Sequence, residues 1–333
     1  MKTILFYSSV KDKSLFQTQK FYQIDISLLE RLGYNVILSN KVCDAIKFWK
    51  YDILFGYFFR WSLFAAALAR LFGKKVFLTG GIDALDREFA GEKAYHEQKR
   101  LFLWCYKFAT KCIIVSPTDM QHVKEILNGD ESKLAYSEHT IETSAFKEVD
   151  MAAKEKIFTT IGWQGVVSDR KGMDKAIMLF GMLKGHPEFS DYKMFILGRK
   201  GAYTPVLQKI INDCKLTDSV VITGEVSEEE KIDYLKRSKY YFQLSKFEGF
   251  GIAALEALVA GNVILHSGKG GLSNPIYDMH IKVDINEPLE NQDARIRQKL
   301  QEVDEMKLVE HVKKVCDYYD NERRLNDFAE IMK

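Results

Sequence analysis

Two glutamates eight positions apart, Glu248 and Glu256, lie within the stretch Ser-Lys-Phe-Glu-Gly-Phe-Gly-Ile-Ala-Ala-Leu-Glu-Ala-Leu-Val-Ala-Gly that runs from Ser245 to Gly261. Gly249 and Gly251 free the backbone, Ile252 to Val259 are good helix formers, and the aromatic run Tyr240 to Phe242 before them reads as a strand. The order is strand, glycine turn, helix. Such a turn offers N–H groups that no helical carbonyl pairs, together with the positive end of the helix dipole, and so suits a phosphate. Eight positions span roughly 2.2 helical turns, but Glu248 precedes the helix, so both side chains can face one pocket. Two acceptors of this kind hold two hydroxyl-rich groups on either side of a diphosphate, which describes a nucleotide-sugar. Glutamates are ordinarily solvated. Glu256, however, is flanked by Ala253, Ala254, Leu255, Ala257, Leu258 and Val259, an apolar setting in which an unpaired carboxylate is costly.

Alternating strand-like and helix-like patterns must position these residues. In the first half strands are expected at 2–7, 34–38, 51–56, 75–79 and 112–115, with helices near 20–32, 62–72, 92–109 and 118–127. In the second, strands fit 157–161, 193–197, 219–222, 240–244 and 262–265, and helices 173–184, 204–214, 227–237 and 252–260. Repeated βα units predict an α/β protein with two doubly wound, Rossmann-like domains, as the 333-residue length also suggests. The expected boundaries are 1–150, 151–303 and a helical tail, 304–333, because 144–156 is polar and lacks a clear period.

Ligands of parallel sheets sit at the carboxyl ends of the strands, so the loops after each strand carry the remaining candidates. After 157–161, Arg170, Lys171 and Gly172 lead into a helix, and two cations there suit a diphosphate. Arg199 follows 193–197, where a surface role competes. Gly270 and Gly271 follow the strand after Gly261 in a second nest-like loop for phosphate or sugar. In the first half Asp83 follows Gly80 and Gly81, placed either to bind a sugar hydroxyl and steer the acceptor or to cap a helix.

The 245–261 stretch resembles the signature of retaining glycosyltransferases of family four, usually Pro-Ser-x-x-Glu-Gly-Phe-Gly followed by a helical Leu-Glu-Ala and a glycine; Leu244 stands at the proline position. The resemblance implies a GT-B fold, two Rossmann-like domains facing a central cleft, with an acceptor-side first domain, a nucleotide-sugar-binding second domain, and a last helix that crosses back to the first. It implies hexosyl transfer with retention to a glycan or lipid-linked acceptor, in bacterial surface-polysaccharide or glycoconjugate synthesis. It assigns Glu256 to the ribose hydroxyls, Glu248 to the donor sugar near the reacting carbon, and the amides of Gly249, Phe250 and Gly251 to the diphosphate. Thr223-Gly224-Glu225-Val226 resembles the family's Gly-x-Val element, which implies that the backbone at Val226 meets the base. Lys171 fits the family's Lys-Gly, whereas Trp163 stands where relatives carry an arginine, and Asn274 where they commonly carry a glutamate. The opening loop Tyr7 to Asp12 lacks the family's Gly-Gly.

The composition excludes several classes. Hydrophobic residues at 47% and charged residues at 28% are ordinary for a globular protein. Split at Asp150, 21 basic against 18 acidic residues, then 27 against 28, leave +3 and −1, which sum to the net +2 and do not suggest nucleic acid. Five scattered cysteines without a Cys-x-x-Cys pair fit reduced core filler in a cytoplasmic protein. No histidine spacing or Asp-x-Asp suggests a metal, so metal-independent transfer without a cofactor is expected. The segment 53–71 is broken by Gly56, Arg60, Ser62 and Arg70 and reads as a strand plus a buried helix rather than a membrane span. Segment 92–111 interleaves lysines with aromatics and allows peripheral contact with the inner face of the plasma membrane, although its apolar stripe also suits a core. Two alternatives stand beside the transferase: a non-catalytic GT-B subunit that binds sugar or a partner enzyme, and a Rossmann dehydrogenase, which the absence of Gly-x-Gly-x-x-Gly after the first strand disfavours.

Overall fold

The computed structural model describes residues 1–146, 148–165 and 168–333, with Ser168 and Asp169 described by backbone alone. Its chain divides into two compact units, 1–142 with 319–333 and 143–318. The division therefore falls eight residues before the expected one, just ahead of the polar 144–156 stretch; Lys147 of that stretch lies outside the described residues. The C-terminal tail is itself divided. Its first part stays with the second unit, and only 319–333 joins the first.

In the first unit β1 (Thr3–Tyr7), α1 (Leu15–Thr18), α2 (Lys20–Arg31), β2 (Asn35–Ser39), β3 (Ile53–Tyr57), α3 (Phe59–Leu71) and β4 (Lys75–Thr79) are followed by α4 (Arg87–Ala90), α5 (Glu92–Phe108), β5 (Lys111–Ile114), α6 (Pro117–Leu127) and β6 (Leu134–Tyr136). The sheet is parallel in the order β2-β1-β3-β4-β5-β6. Its central strands are apolar runs buried on both sides, as strands covered by helices on two faces must be. Strand β6, a short edge, had no periodic signal to announce it.

The second unit runs β7 (Glu155–Ile161), α7 (Met173–Lys184), β8 (Lys193–Leu197), α8 (Thr204–Asp213), β9 (Val220–Gly224), α9 (Glu228–Arg237), β10 (Ser238–Gln243), α10 (Ile252–Val259), β11 (Val263–His266), β12 (Ile281–Lys282), α11 (Asp293–Gln301) and α12 (Glu305–Tyr318). Its parallel sheet has the order β12-β11-β10-β7-β8-β9. From β7 the chain winds outward through β8 and β9, then returns to lay β10, β11 and β12 on the other flank. The direction reverses between β7 and β10, and a crevice for ligand opens at such a switch, beyond the carboxyl ends of the strands. Ser227 caps α9 in a capping box with Glu230, each side chain accepting the other's backbone N–H, at 3.1 and 2.7 Å.

The last helix, α13 (Asn321–Ile331), packs on α2 in the first unit. Arg324 anchors it by donating Nε to Asp25 Oδ1 at 2.6 Å and a second nitrogen to Asp25 Oδ2 at 2.8 Å, with both side chains fully buried. The same guanidinium donates to the carbonyls of Ser137 and Glu138.

Two expectations need correction. Helix α3 is not simply buried: Phe59, Ser62, Ala65, Ala66 and Ala69 face the core, while Trp61, Phe64 and Leu71 face outward. Of the cysteines only Cys105 and Cys112 are buried, whereas Cys43 and Cys214 are exposed. Among the described residues no helix is long and apolar enough to cross a membrane.

Candidate functional site

The switch point of the second unit is where the sequence candidates gather. The loop after β7 supplies Arg170 and Lys171, and the loop after β10 supplies Glu248. Lys171 Nζ donates to Glu248 Oε1 at 2.7 Å. Glycines permit this approach. A Cβ on Gly172, whose φ is +62°, would stand 2.0 Å from the carbonyl oxygen of Leu244, and one on Gly270, at φ +61°, would stand 2.1 Å from that of Glu248. At Gly270 two loops meet backbone to backbone: Glu248 and Gly270 form a parallel bridge, and Gly271 N donates to Glu248 O at 2.7 Å.

Glu248, 6% exposed, is held by a network the sequence did not announce. Its Oε1 also accepts from Gln243 Nε2 at 2.8 Å and from Ser245 Oγ at 2.7 Å. Tyr241, fully buried, donates its hydroxyl to Gln243 Oε1 at 2.9 Å and so fixes which end of the amide faces Glu248. Burial, then the nearby Glu248 carboxylate, pushes the Tyr241 hydroxyl well above its ordinary pKa, so it remains a donor. Three donors converging on one oxygen make Glu248 a fixed acceptor, suited to positioning a sugar hydroxyl.

Glu256, 7% exposed, lies one turn inside α10. Lys231 of α9 donates to both of its oxygens, at 2.8 and 2.9 Å, and also pairs with Glu228 at 3.1 Å. Burial works against the Lys231 charge, but the two carboxylates outweigh it and hold its pKa above the ordinary lysine value. Lysine 231 was missed because, in Ser-Glu-Glu-Glu-Lys, it reads as a solvated first turn; the capping box that starts α9 was the legible part of the signal. Helix α10 opens at Gly251 in a left-handed conformation, directly after Gly249 and Phe250, and the N–H groups of its first turn have no intrahelical carbonyl to pair with.

The remaining candidates divide. Arg170 donates Nε to the carbonyl of Phe247 at 3.3 Å, and its own carbonyl accepts from Lys246 N, so it ties the two loops together. Arg199 is exposed on the loop after β8, and Val226, half-buried, stands two residues beyond β9. Trp163 is exposed, and Asn274 caps a short turn by accepting from Ile276 N at 3.1 Å. Asp83 belongs to the first unit, at the carboxyl end of β4. The helix that follows, α4, is capped by Asp86, which accepts from Phe89 N at 2.8 Å. Asp119, fully buried beside it, accepts from Ile82 N at 3.1 Å; burial, then the Asp83 charge, raises its pKa to about 7. No group of three or more histidines, cysteines or carboxylates placed to hold a metal occurs among the described residues.

Residues 144–307 match the family described as glycosyl transferases group 1. A D-inositol 3-phosphate glycosyltransferase of Paenarthrobacter aurescens is 32% identical over 133 residues, 39% of this chain and 33% of that protein. A putative glycosyltransferase 41 of a Sulfolobus islandicus filamentous virus is 26% identical over 147 residues, 38% of this chain and 44% of its own length. The matched region thus spans less than half of either relative. Among solved structures, Anabaena HepE in complex with UDP superposes with a TM-score of 0.74 at 13% identity, covering 100% of this chain and 99% of that one. The sucrose-phosphate synthase of Thermosynechococcus elongatus gives 0.75 at 13% identity, with 100% and 98% covered. The two parallel six-stranded sheets are those of the GT-B fold.

Proposed function

We propose that this chain, a GT-B protein whose residues 144–307 match glycosyl transferases group 1, is a glycosyltransferase that takes its sugar from a nucleotide-diphospho-sugar. The observation that carries this reading is the pairing of Lys171 with Glu248 across the switch point between β7 and β10, with a second pair formed by Lys231 and by Glu256 of the helix that follows Glu248. Cation, carboxylate and helix amides are the groups that a diphosphate flanked by two hydroxyl-bearing rings calls for, and such ligands favour the switch point of a parallel sheet. The HepE structure contains UDP, which supports a uridine nucleotide as the first ligand to try.

In this reading Glu256 takes the ribose hydroxyls and Glu248 the donor sugar, with the backbone at Val226 near the base. The amides from Gly249 to Gly251, with Gly270 and Gly271 opposite, line the phosphates. The bond from the anomeric carbon to the diphosphate breaks, its electron pair leaving on the diphosphate oxygen, as the acceptor oxygen bonds to that carbon and passes its proton to the departing diphosphate. Lys171 and Arg170 meet the charge that grows on the leaving diphosphate, with Arg199 as a third candidate cation, so the chain's own cations do this without a metal. Retention of configuration, a glycan or lipid-linked acceptor steered by Asp83, and a place in bacterial surface-polysaccharide synthesis complete the proposal and rest on the family likeness. Trp163, exposed where relatives carry an arginine, favours the second reading of a non-catalytic GT-B subunit.

A thermal-shift screen against UDP, GDP, ADP, CMP and their sugars, repeated with Glu256→Ala, separates the two. A ligand at a hundredfold over its dissociation constant adds about 2.7 kcal/mol of stability. One nucleotide is expected to stabilise the wild type and not the variant. A cooperative melt that no nucleotide moves would leave the non-catalytic subunit.

A further inference from the structure

We infer that the outer face of α3, with the neighbouring 42–50 segment and the end of α5, is a docking surface for an anionic lipid bilayer. Helix α3 is apolar on both sides. Its inner side is spent on the core, yet Trp61, Phe64 and Leu71 stand 57%, 72% and 77% exposed on the outer side. With half-buried Leu68 they recur at i, i+3, i+7 and i+10, a single stripe along the helix. A surface helix that is apolar all round exposes its second face for a reason, and a rimmed apolar patch of this kind marks an interaction surface.

The stripe is continuous with its neighbours. A depression of about 540 Å³ is bounded by Val42, by Phe64, Leu68, Arg70 and Leu71 of α3, and by Phe108 of α5. Trp104, exposed, stacks on Phe108 at 6.0 Å, and Phe48, also exposed, stacks on Phe72 at 4.4 Å.

Charge identifies the occupant. The depression is lined by one cation and no acid, and among the described residues the Arg70 guanidinium has no ion-pair or hydrogen-bond partner, while its carbonyl accepts from Gly73 N. No aspartate or glutamate occurs from Ile53 to Ile82, and of the exposed cations beside the aromatics Lys47 pairs with Asp44 at 2.7 Å and Arg60 with Glu97 at 2.9 Å, which leaves Lys50, Arg100 and Lys107 in addition to Arg70. Arg60 lies over the Trp61 ring at 5.1 Å and Lys107 over Trp104 at 5.0 Å. Indole rings with cations beside them suit the headgroup boundary, where the ring enters the apolar layer and the cation meets lipid phosphate. An acyl segment in the depression would place its headgroup anion at Arg70. The sequence expectation put membrane contact on 92–111. Exposure moves its apolar centre to α3, because α5 turns Tyr95, Phe102, Cys105 and Tyr106 inward and offers only a flank.

The test is co-sedimentation of the full chain with phosphatidylcholine vesicles, with and without phosphatidylglycerol, at low and high salt, with tryptophan emission read in parallel. Its readout is independent of the donor site. Wild type is expected to bind the anionic vesicles with a blue shift, more weakly at high salt. The Phe64→Ser/Leu71→Ser double variant and Arg70→Glu are each expected to lower partitioning about tenfold, with an unchanged melting temperature since these side chains are exposed. Failure to bind anionic vesicles, equal binding to phosphatidylcholine alone, or undiminished binding by the variants would overturn the inference. So would a wild-type dimer that the double variant dissociates while vesicles bind nothing, because a second copy would then cover this face.

Discussion

Lysine 231 changes the account of Glu256. A carboxylate in an apolar helix called for a partner, and the one it has comes from another helix and grips both oxygens. Breaking such a pair on one side leaves a buried charge uncompensated. Lys231→Met is therefore expected to cost about 3 kcal/mol in urea unfolding, and Lys231→Met/Glu256→Gln to recover most of that loss. If the double variant is no more stable than the single, the two side chains are not energetically coupled. Glu248, Glu256 and Lys171 were legible as candidates because residue type and a short spacing single them out. Gln243 and Tyr241 were not, because at the end of an apolar strand their types suit packing as well as a network.

Among the elements, α13 shows most plainly what periodicity leaves open. Its pattern announces an amphipathic helix, and Arg324 reads there as one more surface charge, yet Arg324 is fully buried on Asp25 of α2. Tyr57 adds its hydroxyl to the same carboxylate. Arg324→Met is expected to destabilise the first unit by about 3–5 kcal/mol, measured by urea titration, while nucleotide-induced stabilisation of the second unit persists. Loss of that nucleotide response, or a first unit of unchanged stability, would contradict this assignment. Strands and helices were legible to within a few residues because apolar alternation and caps such as Ser227 with Glu230 are local signals. The short strands β6 and β12 and the helix α11 were not, since they are too brief or too polar to show a period.

For the molecule as a whole, buried histidines set how it responds to acid. Burial, then the Arg324 charge, lowers the pKa of His139 in the first unit to about 3. In the second unit burial, then neighbouring His311 and His266, lowers His280 to about 3, and burial lowers His266 to about 4. Between about pH 6.5 and pH 4 the unfolded chain binds protons that these folded histidines refuse, so stability falls as pH falls through that window. Asp119 acts in the opposite sense: its folded pKa of about 7 lies above the unfolded value, so the first unit takes up a proton early and gains stability on acidification. The second unit is thus expected to be the more acid-labile. Calorimetry across that range would show the nucleotide-responsive transition moving down while the other holds, and Asp119→Asn would make the first unit follow. A nucleotide-responsive transition that stays in place on acidification would count against the histidine argument.

The chain's own order of residues determined that this is an α/β protein of repeated βα units, and where its glycine turn and paired carboxylates lie, because periodicity, capping and short motifs act over a few residues. Tertiary structure alone decided which groups meet. Lys231 reaches Glu256 across 25 positions and Arg324 reaches Asp25 across 299, and the outer face of α3 is apolar in type but exposed in fact. Residue type records what a side chain can do; which sheet, helix or solvent it faces depends on how the elements pack, and no local signal carries that.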